Sequence, residues 1–148
     1  MRITTRGRYA LRAMLALARL GQKEELVSIN NLSEDEAISS VFLEQIFFKL
    51  KKAGIVKSVR GPGGGFSFAR PLETLTVKEI LDAAGEDLAV SPCDKHEETC
   101  GRISCCISHQ VWTTMTDMVN NYLRSLTLAS LVEKDRLRLT GAEKNKPD

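Results

Sequence analysis

Ser39-Ser40-Val41-Phe42-Leu43-Glu44-Gln45-Ile46-Phe47-Phe48-Lys49-Leu50-Lys51-Lys52-Ala53-Gly54 runs directly into Ile55-Val56-Lys57-Ser58-Val59-Arg60-Gly61-Pro62-Gly63-Gly64-Gly65-Phe66. Leu43, Ile46, Phe47 and Leu50 recur at i, i+3, i+4 and i+7, the spacing of one buried helical face. That face turns Phe42, Gln45, Lys49 and Lys52 outward. Ser39 or Ser40 can cap the helix and Gly54 can end it. Ile55 to Val59 then alternates like a strand, the glycine run makes a turn, and Phe66 to Ala69 returns as a second strand. The pattern is a helix followed by a two-stranded wing.

Upstream, residues 28–36 suggest a second short helix, and Ala37-Ile38-Ser39 forms a tight joint. Two short helices around a three-residue joint make a helix-turn-helix. Further upstream, Ala10, Ala13, Met14 and Leu17 give a helix over about residues 6–20, capped by Thr4 or Thr5 and ended by Gly21. Its arginines Arg6, Arg8, Arg12 and Arg19 are expected to stay available to solvent or phosphate.

The outward face bearing Ser40, Val41, Glu44, Gln45 and Lys49 has the size and polarity for a major groove. Gln45 can read adenine, while Ser40 and Lys49 can hold phosphate. From the helices alone, an ordinary helical hairpin with a solvated face competes equally. The wing breaks that tie: Lys57, Arg60 and the glycine turn put positive charge on a flexible tip suited to a narrow minor groove. The glycines are not a nucleotide-binding loop, because no Gly-Lys-Ser/Thr follows and both flanks read as strands. Glu44 would repel phosphate and accept only from base edges such as cytosine N4.

Charge agrees with this polarity. Residues 1–70 hold twelve Lys/Arg against six Asp/Glu, a net +6, whereas residues 71–148 hold nine against thirteen, a net −4. The basic half is the end suited to a polyanion. No apolar run has the length of a membrane span, and a secretory signal does not fit the arginine-rich start, so a cytoplasmic protein is expected.

Thr76 and Glu79 have capping-box spacing at the head of a helix that ends near Gly85. A loop over residues 86–104 follows, and a long helix over about 105–126 carries Val111, Met115, Met118 and Tyr122 at steps of four, three and four. That stripe would be wet on an isolated helix, so a partner is expected. Trp112, Met115 and Met118 read as packing residues. The expected organisation is a winged helix-turn-helix domain at 1–85, a linking loop at 86–104 whose cysteines give it a ligand-binding role, a dimerisation helix and short C-terminal helix at 105–134, and a disordered tail at 135–148. The fold class is mainly α with a small β-hairpin wing.

Cys93, Cys100, Cys105, Cys106 and His109 form C-x6-C-x4-C-C-x2-H. Soft thiolates and one imidazole near a helix start are metal-ligand chemistry, not a dispersed disulfide framework. The spacing suits zinc as well as an iron-sulfur cluster. His96, among Asp94, Lys95, Glu97 and Glu98, reads as solvent-facing. No paired acid/base or nucleophile constellation is present, which argues against an enzyme.

The sequence resembles the IscR-type iron-sulfur cluster regulators. The likeness lies in the opening Met1-Arg2-Ile3-Thr4-Thr5-Arg6-Gly7-Arg8-Tyr9-Ala10, in Phe42-Leu43-Glu44-Gln45, in the wing from Val59 to Phe66, and in the cysteine loop with His109 to Trp112. It covers about residues 1–134. It implies a homodimer on double-stranded DNA, with recognition helices in successive major grooves and wings in flanking minor grooves. It also implies a [2Fe-2S] cluster on Cys93, Cys100, Cys106 and His109, with Cys105 as an alternative ligand, sensing cluster supply or redox or nitric-oxide stress. A branch holding a [4Fe-4S] cluster uses an aspartate in the first helix where this chain has Arg8. Val41-Phe42 replaces the Ser-Tyr pair usual for the family, which removes two hydroxyls from the groove-facing surface. The expected DNA contacts are Arg2, Thr4, Arg8, Tyr9, Ser39, Ser40, Val41, Phe42, Glu44, Gln45, Lys49, Lys57, Arg60, Gly61 and Pro62.

Overall fold

The computed structural model describes residues 1–94 and 100–144. Among the described residues, six α-helices and one hairpin are arranged as α1 (Thr5–Leu20), α2 (Ile29–Glu36), α3 (Ser40–Lys52), β1 (Val56–Val59), β2 (Gly65–Phe68), α4 (Val77–Ala84), α5 (Ile107–Ser125) and α6 (Leu128–Lys144). Thr4 caps α1, Ser28 caps α2 and Ser39 caps α3, each through a side-chain oxygen accepting a first-turn N–H. The joint between α2 and α3 places Ala37 in the left-handed region at φ 53°, which costs a non-glycine residue about 1 kcal/mol. Ser33 holds the joint by donating to the Ile38 carbonyl at 2.6 Å.

One core cluster joins Ala10, Met14 and Leu17 of α1 to Leu43, Ile46, Phe47 and Leu50 of α3, with Ile80 of α4 and Leu128 of α6. The Phe47 ring meets Phe66 of β2 edge-on at 4.7 Å, which seats the wing on α3. The strands pair antiparallel, Val56 opposite Phe68 and Val59 opposite Gly65. Val27 adds a bridge to Phe66 on the far edge of β2. A side chain on Gly65 would start 2.6 Å from the Val27 carbonyl oxygen, so glycine lets that third segment close.

Thr76 and Glu79 form the expected capping box on α4. Beyond it, Leu126 and Leu128 exchange backbone bonds with Val77 and Leu75, at 2.9 and 2.7 Å. A second small cluster of Val77, Leu81 and Leu88, with Leu123, Leu126 and Leu131 packed on it, fastens the end of α5 and the start of α6 to α4.

Three expectations change. Arg12 and Arg19 are not free for phosphate. Arg12 bonds Glu36 at 2.8 Å, while Arg19 pairs with Asp35 and Glu36, so the two tie α1 to α2. Phe42 is half-buried, its ring edge-on to Tyr9 at 5.7 Å, because the α1 aromatic lies within reach of that side of α3. The last helix does not stop at Lys134 but continues to Lys144. Asp135 reaches Arg19 at 3.8 Å, and the Glu133–Arg136 and Asp135–Arg138 pairs lie at helical spacing, contacts a hydrophilic segment cannot reveal by composition. Residues 145–148 of the expected tail, and His96, lie outside the described residues. Among the described residues no helix is long and apolar enough to cross a membrane.

Candidate nucleic-acid interface and cysteine loop

With Leu43, Ile46, Phe47 and Leu50 fully buried, the opposite side of α3 presents Val41, Glu44, Gln45 and Lys52, all exposed. Ser39 and Ser40 stand at its N-terminus, where the cap and the free backbone N–H groups favour an anion. The wing continues this surface. Lys57 is exposed on β1, and Arg60, Gly61 and Pro62 are exposed at the tip, where Gly61 adopts φ 103°. Lys51 bonds the Ser58 hydroxyl at 2.6 Å, fixing the wing against the end of α3.

The other expected contacts take more varied positions. Arg2 and Arg8 are exposed at the start of α1, and Arg8 bonds Thr5 at 3.1 Å. Tyr9 is half-buried between Phe42 and Arg12, whose guanidinium lies 5.3 Å from its ring centre. Lys49 turns toward the C-terminus of α4. A side chain on Gly85 would meet the Lys49 ammonium at 3.3 Å and the Arg6 guanidinium at 3.4 Å, two cations over the negative end of a helix dipole.

Thr4 does not hold its hydroxyl free. The hydroxyl donates to Glu86, which also accepts from the Thr4 N–H at 2.8 Å and the Gly7 N–H at 3.1 Å. Glu86 is only 7 % exposed and sits 82 residues downstream of the helix it caps. Burial works against its charge, but the Thr4 hydroxyl, the two N–H donors and Arg6 outweigh it and hold the carboxyl below its ordinary value. Gly7 is what allows the approach: a Cβ there would lie 2.5 Å from the Glu86 Cγ.

Glu86 opens the segment that leads to the cysteines. Leu88 is buried in the second cluster, the Val90 N–H donates to Thr116 of α5 at 3.0 Å, and the Val90 carbonyl accepts from the Met1 ammonium at 3.4 Å. The base of the loop is therefore bonded both to the start of α1 and to α5. Cys93 lies in a short 3-10 turn, Cys105 in another, Cys106 at the N-cap of α5 and His109 in its first turn. All four cysteines are free thiols, Cys100 and Cys105 exposed, Cys93 and Cys106 half-exposed. Among the described residues, no three His, Cys, Asp or Glu side chains converge to hold a metal. The donor chemistry, three or four accessible thiols and an imidazole, nonetheless fits a thiophilic centre.

A family model described as Rrf2, an iron-dependent transcriptional regulator, matches residues 3–134. The chain belongs to the Rrf2 family. It is 39 % identical over 134 residues to a putative HTH-type transcriptional regulator of Neisseria meningitidis, covering 90 % of this chain and 89 % of that one. It is 34 % identical over 145 residues to the HTH-type transcriptional regulator IscR of Erwinia tasmaniensis, covering 98 % and 87 %. Among solved structures it is similar to IscR of T. potens, at TM-score 0.73 and 26 % identity over 100 % of this chain and 93 % of that one. It is also similar to CymR, the global cysteine regulator of B. subtilis, at TM-score 0.70 and 26 % identity over 90 % and 98 %.

As an IscR-type Rrf2 regulator the protein is a DNA-binding transcription factor and not an enzyme. Its winged helix-turn-helix is the one expected from the sequence. What sequence reasoning missed in this regulator is Glu86 with its partner Gly7. The available signal was a glycine in the first turn of a helix otherwise rich in alanine and leucine, where glycine is destabilising unless something must approach closely.

Proposed function

We propose that this Rrf2 regulator is a homodimer whose operator binding is modulated by an iron-sulfur cluster, [2Fe-2S], on Cys93, Cys100, Cys106 and His109, with Cys105 as an alternative ligand in place of Cys106 or His109. The observation that carries the reading is the base of the cysteine loop. Glu86 is bonded to the first turn of α1 and Val90 to the middle of α5, so the residues leading to the thiols touch both the DNA-binding unit and the helix offered to a partner. A cluster bound there supplies a redox couple whose potential histidine ligation raises. Order in the loop then biases how Glu86 holds α1 and how α5 sits, and with them the spacing of two recognition helices. Val111, Met115, Met118 and Tyr122, all exposed on α5, are the surface a second copy would cover. DNA contacts fall to Arg2 and Arg8, to Ser40, Val41, Glu44 and Gln45 of α3, and to Lys57 and Arg60 of the wing.

The test is an anaerobic absorption spectrum with iron and sulfide analysis on freshly purified protein, followed by duplex binding with and without the cluster. A brown protein with about two irons and two sulfides per chain, and operator affinity that changes on cluster removal, supports the proposal. Four of each would place it with the four-iron branch. A colourless zinc protein would sink the sensing mechanism while leaving DNA binding in place.

A further inference from the structure

We infer that Phe48, acting with Val41, reads the C5-methyl groups of two thymines in each half-site and so sets part of the operator sequence; this deepens the reading of α3 as the recognition helix and rests on it. With the buried face of α3 fixed by Leu43, Ile46, Phe47 and Leu50, a rotation of 100° per residue places Val41, Gln45, Phe48 and Lys52 along its opposite side. Phe48 is 70 % exposed and Val41 63 % exposed. A single wet apolar side chain is ordinary. These two share one stripe, and across a groove bordered by Glu44 and Ser58, Phe48 faces the wing, where Val59 is 54 % exposed next to Arg60.

The frame around these apolar groups is cationic. Lys51 and Lys52 lie beside Phe48 on α3, and Lys57 and Arg60 stand on the wing, while Glu44 is the one acid on this side of α3. An apolar stripe inside a cationic frame suits a polyanion that itself carries apolar groups. In a major groove those groups are thymine methyls, which are contacted by side chains such as alanine, threonine and phenylalanine. The spacing fits. Val41 and Phe48 are separated by seven residues, about 10.5 Å of helix axis, and about three base-pair steps of 3.4 Å cover the same length. Gln45 lies between them, placed to bond an adenine edge. The expected half-site is A·T-rich, with thymines about three base pairs apart flanking an adenine.

The experiment uses the full-length chain. Duplexes that bind wild type are selected from a random pool, and deoxyuridine, which lacks only the methyl, then replaces each thymine in turn. Wild type should lose about fourfold in affinity at one thymine opposite Phe48, the worth of one methyl group removed from water, and similarly at a second one about three pairs away. F48A should bind the thymine and deoxyuridine forms equally at the first position and keep the wild-type loss at the second, with V41A behaving the other way round. Both variants should keep the wild-type unfolding midpoint and salt slope, since neither residue is buried or charged. Wild type indifferent to deoxyuridine at every position would overturn the inference. So would F48A that retains the full discrimination, or that weakens all sequences equally, the signature of sugar-backbone packing. Failure of wild type to select any duplex would overturn the recognition-helix reading itself.

Discussion

Helices α3 and α5 are both amphipathic, and they use their apolar stripes in opposite ways. In α3 the stripe is closed: Leu43, Ile46, Phe47 and Leu50 are completely buried against α1, α4 and the wing. In α5, which is longer, no residue is fully buried, and Met118 and Tyr122 are left 68 % and 64 % exposed. The first stripe closes within one chain; α5 is tied down by Leu123 at its end and by the Val90–Thr116 bond at its middle, and neither covers Val111, Met115, Met118 or Tyr122. The lesson is that periodicity reveals an apolar face in both helices, but only the tertiary structure tells which face the chain covers by itself.

Substitutions should separate the two helices cleanly. Phe47→Ala should lower stability by about 3–5 kcal/mol, the cost of a large cavity in a packed core, and the loss should be the same at every protein concentration. Chemical denaturation at two concentrations a hundredfold apart would show it. A loss below about 1 kcal/mol would mean the α3 face is not the core assigned to it.

The next effect lies where the segment leading to the cysteines meets the start of α1. Glu86→Ala removes one charged acceptor from the Thr4 and Gly7 N–H groups and should cost about 2–3 kcal/mol. Gly7→Ala should also destabilise, since its Cβ would fall on the Glu86 side chain, although alanine for glycine in a helix is ordinarily favourable. The folded-state pKa of Glu86 lies below its ordinary 4.5. Its contribution is therefore complete above about pH 4.5 and disappears as pH falls through the folded value. The stability gap between wild type and Glu86→Gln should close over that acidic range. A gap that is constant from neutral to acid pH would show that the carboxylate charge is not what binds the helix start.

How much of this was legible is a question of range. The wing, the joint and the Thr76–Glu79 box announce themselves because each is made by residues within a few positions of one another. The pairings of Arg12 with Glu36 and Arg19 with Asp135 are invisible to periodicity, which is why the arginines read as free and the last helix as short. The position of Phe42 fails for the same reason: its spacing points it outward, but Tyr9 from α1 lies over it. For the candidate site, residue types were readable and arrangement was not. The cysteines stood out by density alone, whereas Glu86, the group that binds their loop to α1, looks like any surface glutamate until Gly7 is placed beside it.

A smaller effect tests the open stripe of α5. Met118→Asp should raise the dissociation constant of the proposed homodimer at least tenfold, about 1.4 kcal/mol, by setting a charge in the apolar stripe of α5. The denaturation midpoint of the dilute chain should barely move, because Met118 touches little within the monomer. Sedimentation equilibrium would show both. A wild type that stays monomeric at high micromolar concentration, or a Met118→Asp protein that associates as tightly as wild type, would remove α5 as the dimer surface.

The smallest effect separates two roles of one surface carboxylate. Glu79 accepts from the Thr76 N–H at 3.0 Å in the capping box and from Arg70 at 2.9 Å in an exposed ion pair. The backbone bond from Thr76 is the leading cause that draws its pKa below the ordinary value; burial opposes it and Arg70 assists. Glu79→Ala should therefore cost about 1 kcal/mol as a lost helix cap. Arg70→Ala should cost no more than about 0.5 kcal/mol, because solvent and salt screen a pair in which both side chains stay about two-fifths exposed. The Glu79 contribution is present above the ordinary carboxylate pKa and fades as acid protonates the folded state, while added salt should erase only the Arg70 part. If 1 M salt removed the whole effect of Glu79→Ala, the ion pair would be the stronger bond, and α4 would owe its start to Arg70 instead of to its cap.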